Sequence, residues 1–290
     1  MATIEQIREE TESGTGIFPM PAADYFADHS AWSQSMLKVF MDRRRLAEAY
    51  YVTGTAEPPE PTDPMRKGTA THTALLEPER FDRLVVTYPR ELLAKNGAVS
   101  TNAAKDFRDE QEAAGRVVLK ADQFSAVRSM AESVRKVCGR WLELPGKKEQ
   151  SIYWADDITG LRLKARIDWI VEREERQFIF DLKTTNDVSP AAFRKRIEDG
   201  YWIQAEHYAA GVEAVTGRKT TFIFVAVESA FPFSTALYEL DAEAIGRSID
   251  GRRAVLNQLA DCLARNDFRE SWEGRVVPLS VREWAFNPQL

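Results

Sequence analysis

The 290-residue sequence has only two cysteines, Cys138 and Cys262, and three histidines. Two thiols cannot supply the four thiolates of a structural zinc or iron–sulfur site, and nothing in their number or spacing indicates a disulfide framework. We therefore expect a protein of the reducing cytoplasm. Cys138 repeats with apolar residues at helical spacing, so the sequence predicts that it lies in the core of a helix over about 122–144.

Long hydrophobic runs are also missing, and none approaches the roughly 18 residues that a membrane helix requires. The first 14 residues, MATIEQIREETESG, are polar and acidic, so the sequence does not predict a signal peptide. There is no excess of basic charge: 39 Lys and Arg stand against 45 Asp and Glu, which gives a net charge of −6. A protein that binds nucleic acid over its whole surface is normally basic, so any polyanion site must be a local patch.

Proline is concentrated in one segment, and four of the thirteen prolines lie between Glu57 and Pro64. Such a segment is extended and is typical of a linker. The sequence therefore predicts an N-terminal helical region with a proline-rich linker over residues 1–64, followed by one domain over residues 65–290. Within the first region, Ser33 is a candidate N-cap for a helix that ends near Tyr50.

The remaining elements are predicted from changes of hydrophobic period. They are strands within 151–185 with turns near 159–160 and 172–176, a helix from Ser189 to Thr216, a buried strand over 220–228, and a helix over about 241–265. Helices, then an antiparallel strand group, then helix, strand and helix indicate a mixed α/β or α+β core with a helical N-terminal part.

The most informative residues are Asp168 and the triplet Asp181-Leu-Lys183, which lie on two consecutive predicted strands. If these strands are adjacent, Asp168 and Asp181 approach each other, and Lys183 projects from the same face as Asp181. Two converging carboxylates form a hard-oxygen site for Mg²⁺ or Mn²⁺, and a neighbouring lysine can orient an attacking water. Metal-assisted phosphodiester hydrolysis needs these parts. A purely structural Asp181–Lys183 ion pair is the alternative, and spacing alone does not decide between the two.

Four segments occur in a telling order: Gly68-x-x-x-His72, Gly160 to Asp168, Asp181-Leu-Lys183-Thr-Thr, and Gly200 to Tyr208. They resemble the motifs of the RecE/RecB-like branch of the PD-(D/E)xK nuclease superfamily, and the closest likeness is to RecE-type exodeoxyribonuclease VIII proteins of phages and prophages. The likeness extends from about residue 24 to residue 228. One departure is Asp42-Arg-Arg-Arg45, where the family leads us to expect a serine–proline pair.

This resemblance implies a PD-(D/E)xK restriction-endonuclease-like core, in which a mixed sheet is flanked by helices. It implies metal ligation by four groups: His72, Asp168, Asp181 and the backbone carbonyl of Leu182. Lys183 would orient the nucleophile, and Gln204 and Tyr208 would line the catalytic site. The last two fit a helix, because positions i and i+4 share one face.

The implied activity is Mg²⁺-dependent exonuclease action on linear double-stranded DNA with 5′→3′ polarity, and Mn²⁺ should substitute for Mg²⁺. The resemblance also implies a role in recombination, beside a RecT-like single-strand annealing protein in the cytoplasm of a bacterial host cell. A ring-forming homo-oligomer, with a tetramer as the expected size, follows from the same likeness. The aromatic residues Trp272, Trp284 and Phe286 are candidates for subunit contacts or for packing on their own domain.

Several polar side chains near these motifs are candidates for holding DNA phosphates: Arg66, Arg162, Lys164, Arg166, Thr184, Arg194 and Lys195. Such clusters are also typical of a solvated surface, and only their expected nearness to the metal site favours DNA. Two alternatives to the exonuclease stay open. One is a non-catalytic DNA-binding or recombination scaffold, and the other is a RecB-like or Cas4-like nuclease without an iron–sulfur cluster.

Overall fold

The computed structural model describes residues 15–286, so the acidic segment 1–14 lies outside the described part of the chain. The strands, in chain order, are β1 Gly16–Phe18, β2 Trp32–Ser33, β3 Val85–Thr87, β4 Val117–Leu119, β5 Gly146–Ala155, β6 Arg162–Arg173, β7 Arg176–Thr185, β8 Thr220–Glu228 and β9 Thr235–Tyr238. The α-helices are α1 Ala22–Ala27, α2 Gln34–Asp42, α3 Arg44–Ala47, α4 Asp63–Leu76, α5 Phe81–Leu84, α6 Asn102–Ala113, α7 Ala121–Leu142, α8 Pro190–Arg196, α9 Trp202–Thr216 and α10 Ala242–Arg265. Short π turns cover Glu48–Val52 and Ile197–Tyr201, and 3₁₀ turns cover Pro78–Arg80, Arg90–Leu92 and Glu283–Phe286.

A mixed sheet organises the described residues, with strand order β1-β5-β6-β7-β8-β9 and with β2 added to β6. β5, β6 and β7 are antiparallel, β7 and β8 are parallel, and β9 returns antiparallel to β8. The parallel pair needs a crossover, which α8 and α9 supply. A separate two-stranded sheet pairs β3 with β4.

Helices cover both faces of the sheet. On one face, α4 and α7 contribute Leu75, Val134 and Cys138 to a core with Phe180 of β7, which confirms Cys138 as a core residue. On the other face, α9 packs against β5, β6 and β8, and α2 and α10 pack against α9. Gly211 lets α9 approach β5 closely, because a Cβ at that position would lie 2.6 Å from the Trp154 ring. The predicted fold class, a mixed α/β core with a mixed sheet flanked by helices, is thus confirmed.

Two predicted helices are shorter than expected. Ser33 does cap α2, and its Oγ accepts a hydrogen bond from the Met36 N–H at 3.4 Å. The helix ends at Asp42, however, because Arg43 takes an extended conformation with φ −154°, so the predicted continuous helix to Tyr50 is wrong. The helix predicted over 189–216 is interrupted at Gly200, whose φ of 115° lies outside the helical region.

The N-terminal helices share the core of the sheet. Trp32, Leu37 and Phe40 belong to the same buried cluster as Ile167 of β6. The proline-rich segment 53–62 is exposed and irregular, and the division at residue 64 stays a prediction. None of the described helices is long and apolar enough to cross a membrane.

Candidate active site

The site lies where the ladder between β6 and β7 ends. These strands pair from Arg173–Arg176 up to Trp169–Phe180, and Asp168 and Asp181 are the next residues on each strand. Beyond this point the free edge of β6 pairs with β2 instead, while β7 continues along β8 as far as Thr185. The antiparallel hairpin therefore brings the two predicted acids to one level of the sheet, as their spacing predicted.

At this point the backbone of Leu182 contacts the side chains of two other site residues. Its backbone N–H donates a hydrogen bond to Oδ2 of Asp168 at 2.8 Å. Its carbonyl oxygen lies 3.1 Å from Nε2 of His72, which projects from α4. Nδ1 of His72 lies 3.2 Å from Oδ2 of Asp168. Three of the four predicted metal-binding groups, His72, Asp168 and the Leu182 carbonyl, are thus brought into contact.

His72 and Asp168 each stabilise the charged form of the other. Burial alone would lower the pKa of His72, but the neighbouring Asp168 carboxylate raises it to about 9. Burial would raise the pKa of Asp168, and here His72, Lys183 and the Leu182 N–H lower it instead. The His72 imidazolium and the Asp168 carboxylate therefore form an ion pair.

Glu149 is a member of the site that the sequence analysis missed. Ligand atoms of His72, Glu149 and Asp168 all lie within 4.8 Å of one another. The β5–β6 ladder pairs Lys148 with Trp169 and Gln150 with Ile167. Glu149 on β5 therefore lies level with Asp168 on β6. Glu149 has a left-handed backbone conformation, with φ 52°. The only sequence signal was an acid in the polar run 146–150, which precedes the first predicted strand.

Asp181, Lys183 and Gln204 form the other half of the site. The Lys183 ammonium makes an ion pair with Oδ2 of Asp181, whose side chain is 2% exposed. Oδ1 of Asp181 accepts a hydrogen bond from Nε2 of Gln204 on α9 at 2.8 Å. The predicted association of Asp181 with Lys183 on one face is therefore observed. Both alternatives considered from spacing, a catalytic pair and a structural pair, include this contact.

Burial shifts the protonation of this half. It raises the pKa of Asp181 to about 6, although the Lys183 ammonium opposes the shift. Burial would lower the pKa of Lys183, but the Asp181 and Asp168 carboxylates raise it, so the ammonium stays charged. Its Nζ also lies 5.2 Å from the centre of the Tyr201 ring. Burial raises the pKa of Tyr208 well above its ordinary value, and a hydrogen bond with Gln204 opposes this.

Among the described residues, the cluster of potential ligand atoms does not include Asp181. Its two carboxylate oxygens are turned to Lys183 and Gln204. The role of Asp181 as a metal ligand therefore stays a prediction. Gln204 and Tyr208 do lie on the helix that lines this half, one turn apart.

The prediction that Lys164 holds DNA phosphates is wrong. Lys164 is 2% exposed, and its Nζ donates to the carbonyl oxygens of Tyr25 and Asp28. The strand alternation did place Lys164 on one face, but residues 16–30 cover that face. Desolvation by this cover lowers the pKa of Lys164 to about 8.

Two other basic residues have partners inside the protein. Arg166 contacts Oε2 of Glu149 through Nε at 3.0 Å and Nη2 at 2.9 Å, and it also donates to the Met20 carbonyl. Arg66 pairs with Glu112 at 2.5 Å and donates to the Pro61 carbonyl. Their side chains are only 14% and 10% exposed. Both arginines therefore make internal ion pairs, of which that of Arg166 orients Glu149, and their contacts with DNA phosphates stay predictions.

The other predicted DNA contacts lie nearer to solvent. Arg162 and Thr184 are half-buried on β6 and β7. A Cβ at Gly68 would lie 3.4 Å from the Thr184 hydroxyl, so α4 passes close to β7 there. Arg194 and Lys195 are exposed on α8. Contacts of these four residues with DNA stay predictions.

One solved structure with low sequence identity shares this architecture. A protein from Eubacterium rectale described as a candidate exonuclease superposes with a TM-score of 0.59 at 13% identity, over 94% of this chain and all of that one. This likeness shows the fold. An alkaline exonuclease from Laribacter hongkongensis aligns over 58% of this chain and 87% of its own, at 16% identity and a TM-score of only 0.29. No curated protein sequence matches the chain.

The sequence profile of one family covers most of the described chain, including every residue of the site. It matches residues 33–271 and so extends from the N-cap of α2 past the end of α10. The chain belongs to this family, which is described as a PDDEXK-like domain of unknown function (DUF3799).

Proposed function

We propose that this chain is a divalent-metal-dependent nuclease that degrades linear double-stranded DNA from its ends. The observation that carries the proposal is the juxtaposition of Asp168, Asp181 and Lys183 at the end of the β6–β7 ladder. Burying two carboxylates and an ammonium costs free energy unless they are paired or used. The shared fold with a candidate exonuclease adds support.

The donor set fits a hard divalent cation. His72, Glu149, Asp168 and the Leu182 carbonyl offer one imidazole nitrogen, two carboxylates and one carbonyl oxygen at close range. Oxygen-rich sites suit Mg²⁺ and Mn²⁺, and Mn²⁺ accepts imidazole more readily than Mg²⁺ does. These groups would hold the ion, which supplies Lewis-acid polarisation of the scissile phosphate and a more acidic bound water. We expect His72 to donate as a neutral imidazole once an ion is bound.

The residues of the chain then position the reactants. The Lys183 ammonium can donate hydrogen bonds to the attacking water and to a non-bridging phosphate oxygen. Its positive charge stabilises the negative charge that develops on that oxygen. Asp181 fixes the Lys183 ammonium, and Gln204 fixes the Asp181 carboxylate. Arg166 holds Glu149 toward His72 and Asp168.

The test is digestion of end-labelled linear DNA and closed circular DNA by the purified chain. Linear DNA should be degraded in Mg²⁺ and Mn²⁺, circular DNA should survive, and Ca²⁺ should permit binding without efficient hydrolysis. Asp168→Ala, Asp181→Ala and Lys183→Ala should each lower the rate by orders of magnitude and keep the native circular dichroism spectrum. Asp261→Ala, an exposed carboxylate of α10, is the matched control.

Each alternative has its own outcome in this assay. Full activity in EDTA would exclude metal-assisted hydrolysis. DNA binding without cleavage in either metal would favour the non-catalytic scaffold. Cleavage of circular DNA would favour another RecB-like or Cas4-like nuclease over an exonuclease.

The RecE-type features belong to the same proposal. A 5′→3′ polarity predicts early release of a 5′ label, and a role in recombination predicts that a RecT-like annealing protein binds the resulting single strands. A weakly held duplex could be degraded processively if several subunits enclosed it. Trp272 and Phe286, 50% and 72% exposed, stay candidates for subunit contacts, and the side chain of Trp284 lies outside the described part of the chain. Light scattering at micromolar concentration should give a mass of about four chains.

A further inference from the structure

The connections that follow β7 and β8 leave the sheet beside the site. These strands are parallel neighbours, with Lys183 opposite Ala226 and Thr185 opposite Glu228. Their carboxyl ends therefore lie at one edge, two residues beyond Lys183. From this edge one connection leads into α8, and the other forms the 229–234 turn between β8 and β9.

The 229–234 turn presents an aromatic side chain to solvent. Phe231 is 89% exposed, more than any other described phenylalanine or tryptophan. Because this benzyl group stays in water, it contributes no free energy of hydrophobic burial to the stability of the domain. Such an exposed aromatic is typical of a surface that receives a partner.

The turn is fixed to the site on both sides. The Lys67 ammonium of α4, five residues before His72, donates to the Ser229 carbonyl at 3.0 Å. The Ser229 N–H donates to the Thr185 carbonyl at 2.7 Å, and the Phe233 N–H donates to the Ala230 carbonyl at 2.8 Å. Phe231 is therefore held at a set place relative to the helix of His72 and the strand of Lys183.

The other connection carries positive charge. Arg194 and Lys195 of α8 are exposed, and neither makes an ion pair with a described residue. The helix packs beside the site, since the ring of Phe193 stacks on that of Tyr238 of β9 with a 4.7 Å separation, and Tyr238 pairs with Phe224, which is opposite Asp181. In a chain of net charge −6, unpaired cations beside a carboxylate site favour a polyanion at this edge.

We propose that Phe231 stacks on the terminal base pair of a DNA duplex whose end enters the site, while Arg194 and Lys195 hold its phosphates. A flat apolar group and unpaired cations together match a nucleic acid end, because every base offers a π-face and every nucleotide a charge. The inference rests on the proposed nuclease function and adds the group that recognises the end. In this arrangement Lys183, near the carboxyl end of β7, contacts the scissile phosphate, and Phe231, in the turn after β8, contacts the terminal base pair.

Binding in Ca²⁺ separates this inference from cleavage. A duplex with 2-aminopurine at its terminal position reports stacking through its fluorescence, and a duplex with the probe at its centre is the reference. Phe231→Ala and Phe231→Leu should weaken end binding roughly 5-fold or more and remove the terminal fluorescence change, because leucine is apolar but cannot stack. Phe231→Trp should retain both. Ile249→Ala, which removes an exposed apolar side chain of α10, should match the wild type.

A second arm tests the cations. Replacing Arg194 and Lys195 together by alanine should lower the slope of log affinity against log salt by about two, since each phosphate contact contributes roughly 0.9. Circular DNA has no end, so Phe231→Ala should not change its binding. If Phe231→Ala binds the blunt duplex like the wild type, with the same terminal fluorescence change, the stacking role is refuted. If the wild type stacks but never cleaves linear DNA in Mg²⁺, the nuclease proposal fails and the end-binding surface stands.

Discussion

Gln204 offers a sharp test of how the buried half of the site works. Its Nε2 makes the hydrogen bond to Oδ1 of Asp181, whose other oxygen faces Lys183. Gln204 is 7% exposed and Asp181 is 2% exposed, so water cannot easily replace the lost donor. A hydrogen bond to a charged acceptor is worth about 1.5–3 kcal/mol. If that free energy holds Asp181, and through it Lys183, in the reactive geometry, Gln204→Ala should lower kcat about 10- to 150-fold.

Gln204→Glu should be more damaging than Gln204→Ala above pH 7. It places a second carboxyl group within hydrogen-bonding distance of the Asp181 carboxylate, in a buried setting where two like charges cannot both persist. A proton shared by the two carboxyl groups would restore a hydrogen bond to Asp181. The shared proton is held more fully at lower pH, so the loss of activity should shrink as the pH falls toward 6. Gln204→Ala should show no such recovery.

The assay is single-turnover cleavage of linear DNA in Mg²⁺ between pH 6 and 9, with urea unfolding of each variant. Gln258→Ala is the matched control, because Gln258 accepts a hydrogen bond from Arg44 at an exposed site on α10. The reasoning is refuted if Gln204→Ala keeps more than half of the wild-type rate, or if both Gln204 variants show the same pH profile.

Two further predictions concern Glu149 and a buried ion pair. Glu149→Gln should weaken Mn²⁺ binding measured by calorimetry roughly tenfold, because one charged ligand is lost; unchanged affinity would place Glu149 outside the metal site. Arg253→Ala should lower the free energy of unfolding by about 1–3 kcal/mol, because it leaves Asp156, 5% exposed, without its bidentate partner at 2.7 and 2.8 Å. The exposed Arg247→Ala control should cost under about 0.5 kcal/mol. Burial would raise the pKa of Asp156, but Arg253 and Thr159 lower it, so this stabilisation is present above the ordinary carboxyl pKa of 3.8 and is lost as the pH falls below it.

The sequence predicted those parts of the site that adjacent residues define. Asp181 and Lys183 are two apart on one strand, and Gln204 and Tyr208 are one helical turn apart, so local periodicity sets their relative placement. His72 was found through resemblance alone, since nothing in a helix predicts which strand it will face. The strand over 220–228 and the helix over 241–265 were also predicted, because each is one uninterrupted periodic segment.

What the sequence could not predict depends on distant segments. Lys164 alternates with apolar residues as a solvated strand face would, yet residues 16–30 fold over it, and their short strand and helix carry little periodic signal. Glu149 enters the site only because β5 pairs with β6 in a register that sets it beside Asp168. Register is a property of two strands, and a sequence pattern on one strand does not contain it.

The end of the β6–β7 ladder explains why the site forms where it does. If the β6–β7 ladder continued, the backbone N–H and C=O of Leu182 would form hydrogen bonds with β6. Here the ladder has already ended at Phe180, and the two groups instead contact side chains, the N–H with Asp168 and the C=O with His72. Because buried backbone groups must find partners, the end of a ladder selects polar side chains around it. The same end places the Leu182 carbonyl where a cation could reach it, close to Asp168 of β6, while the continuing β7–β8 ladder holds Asp181 in place.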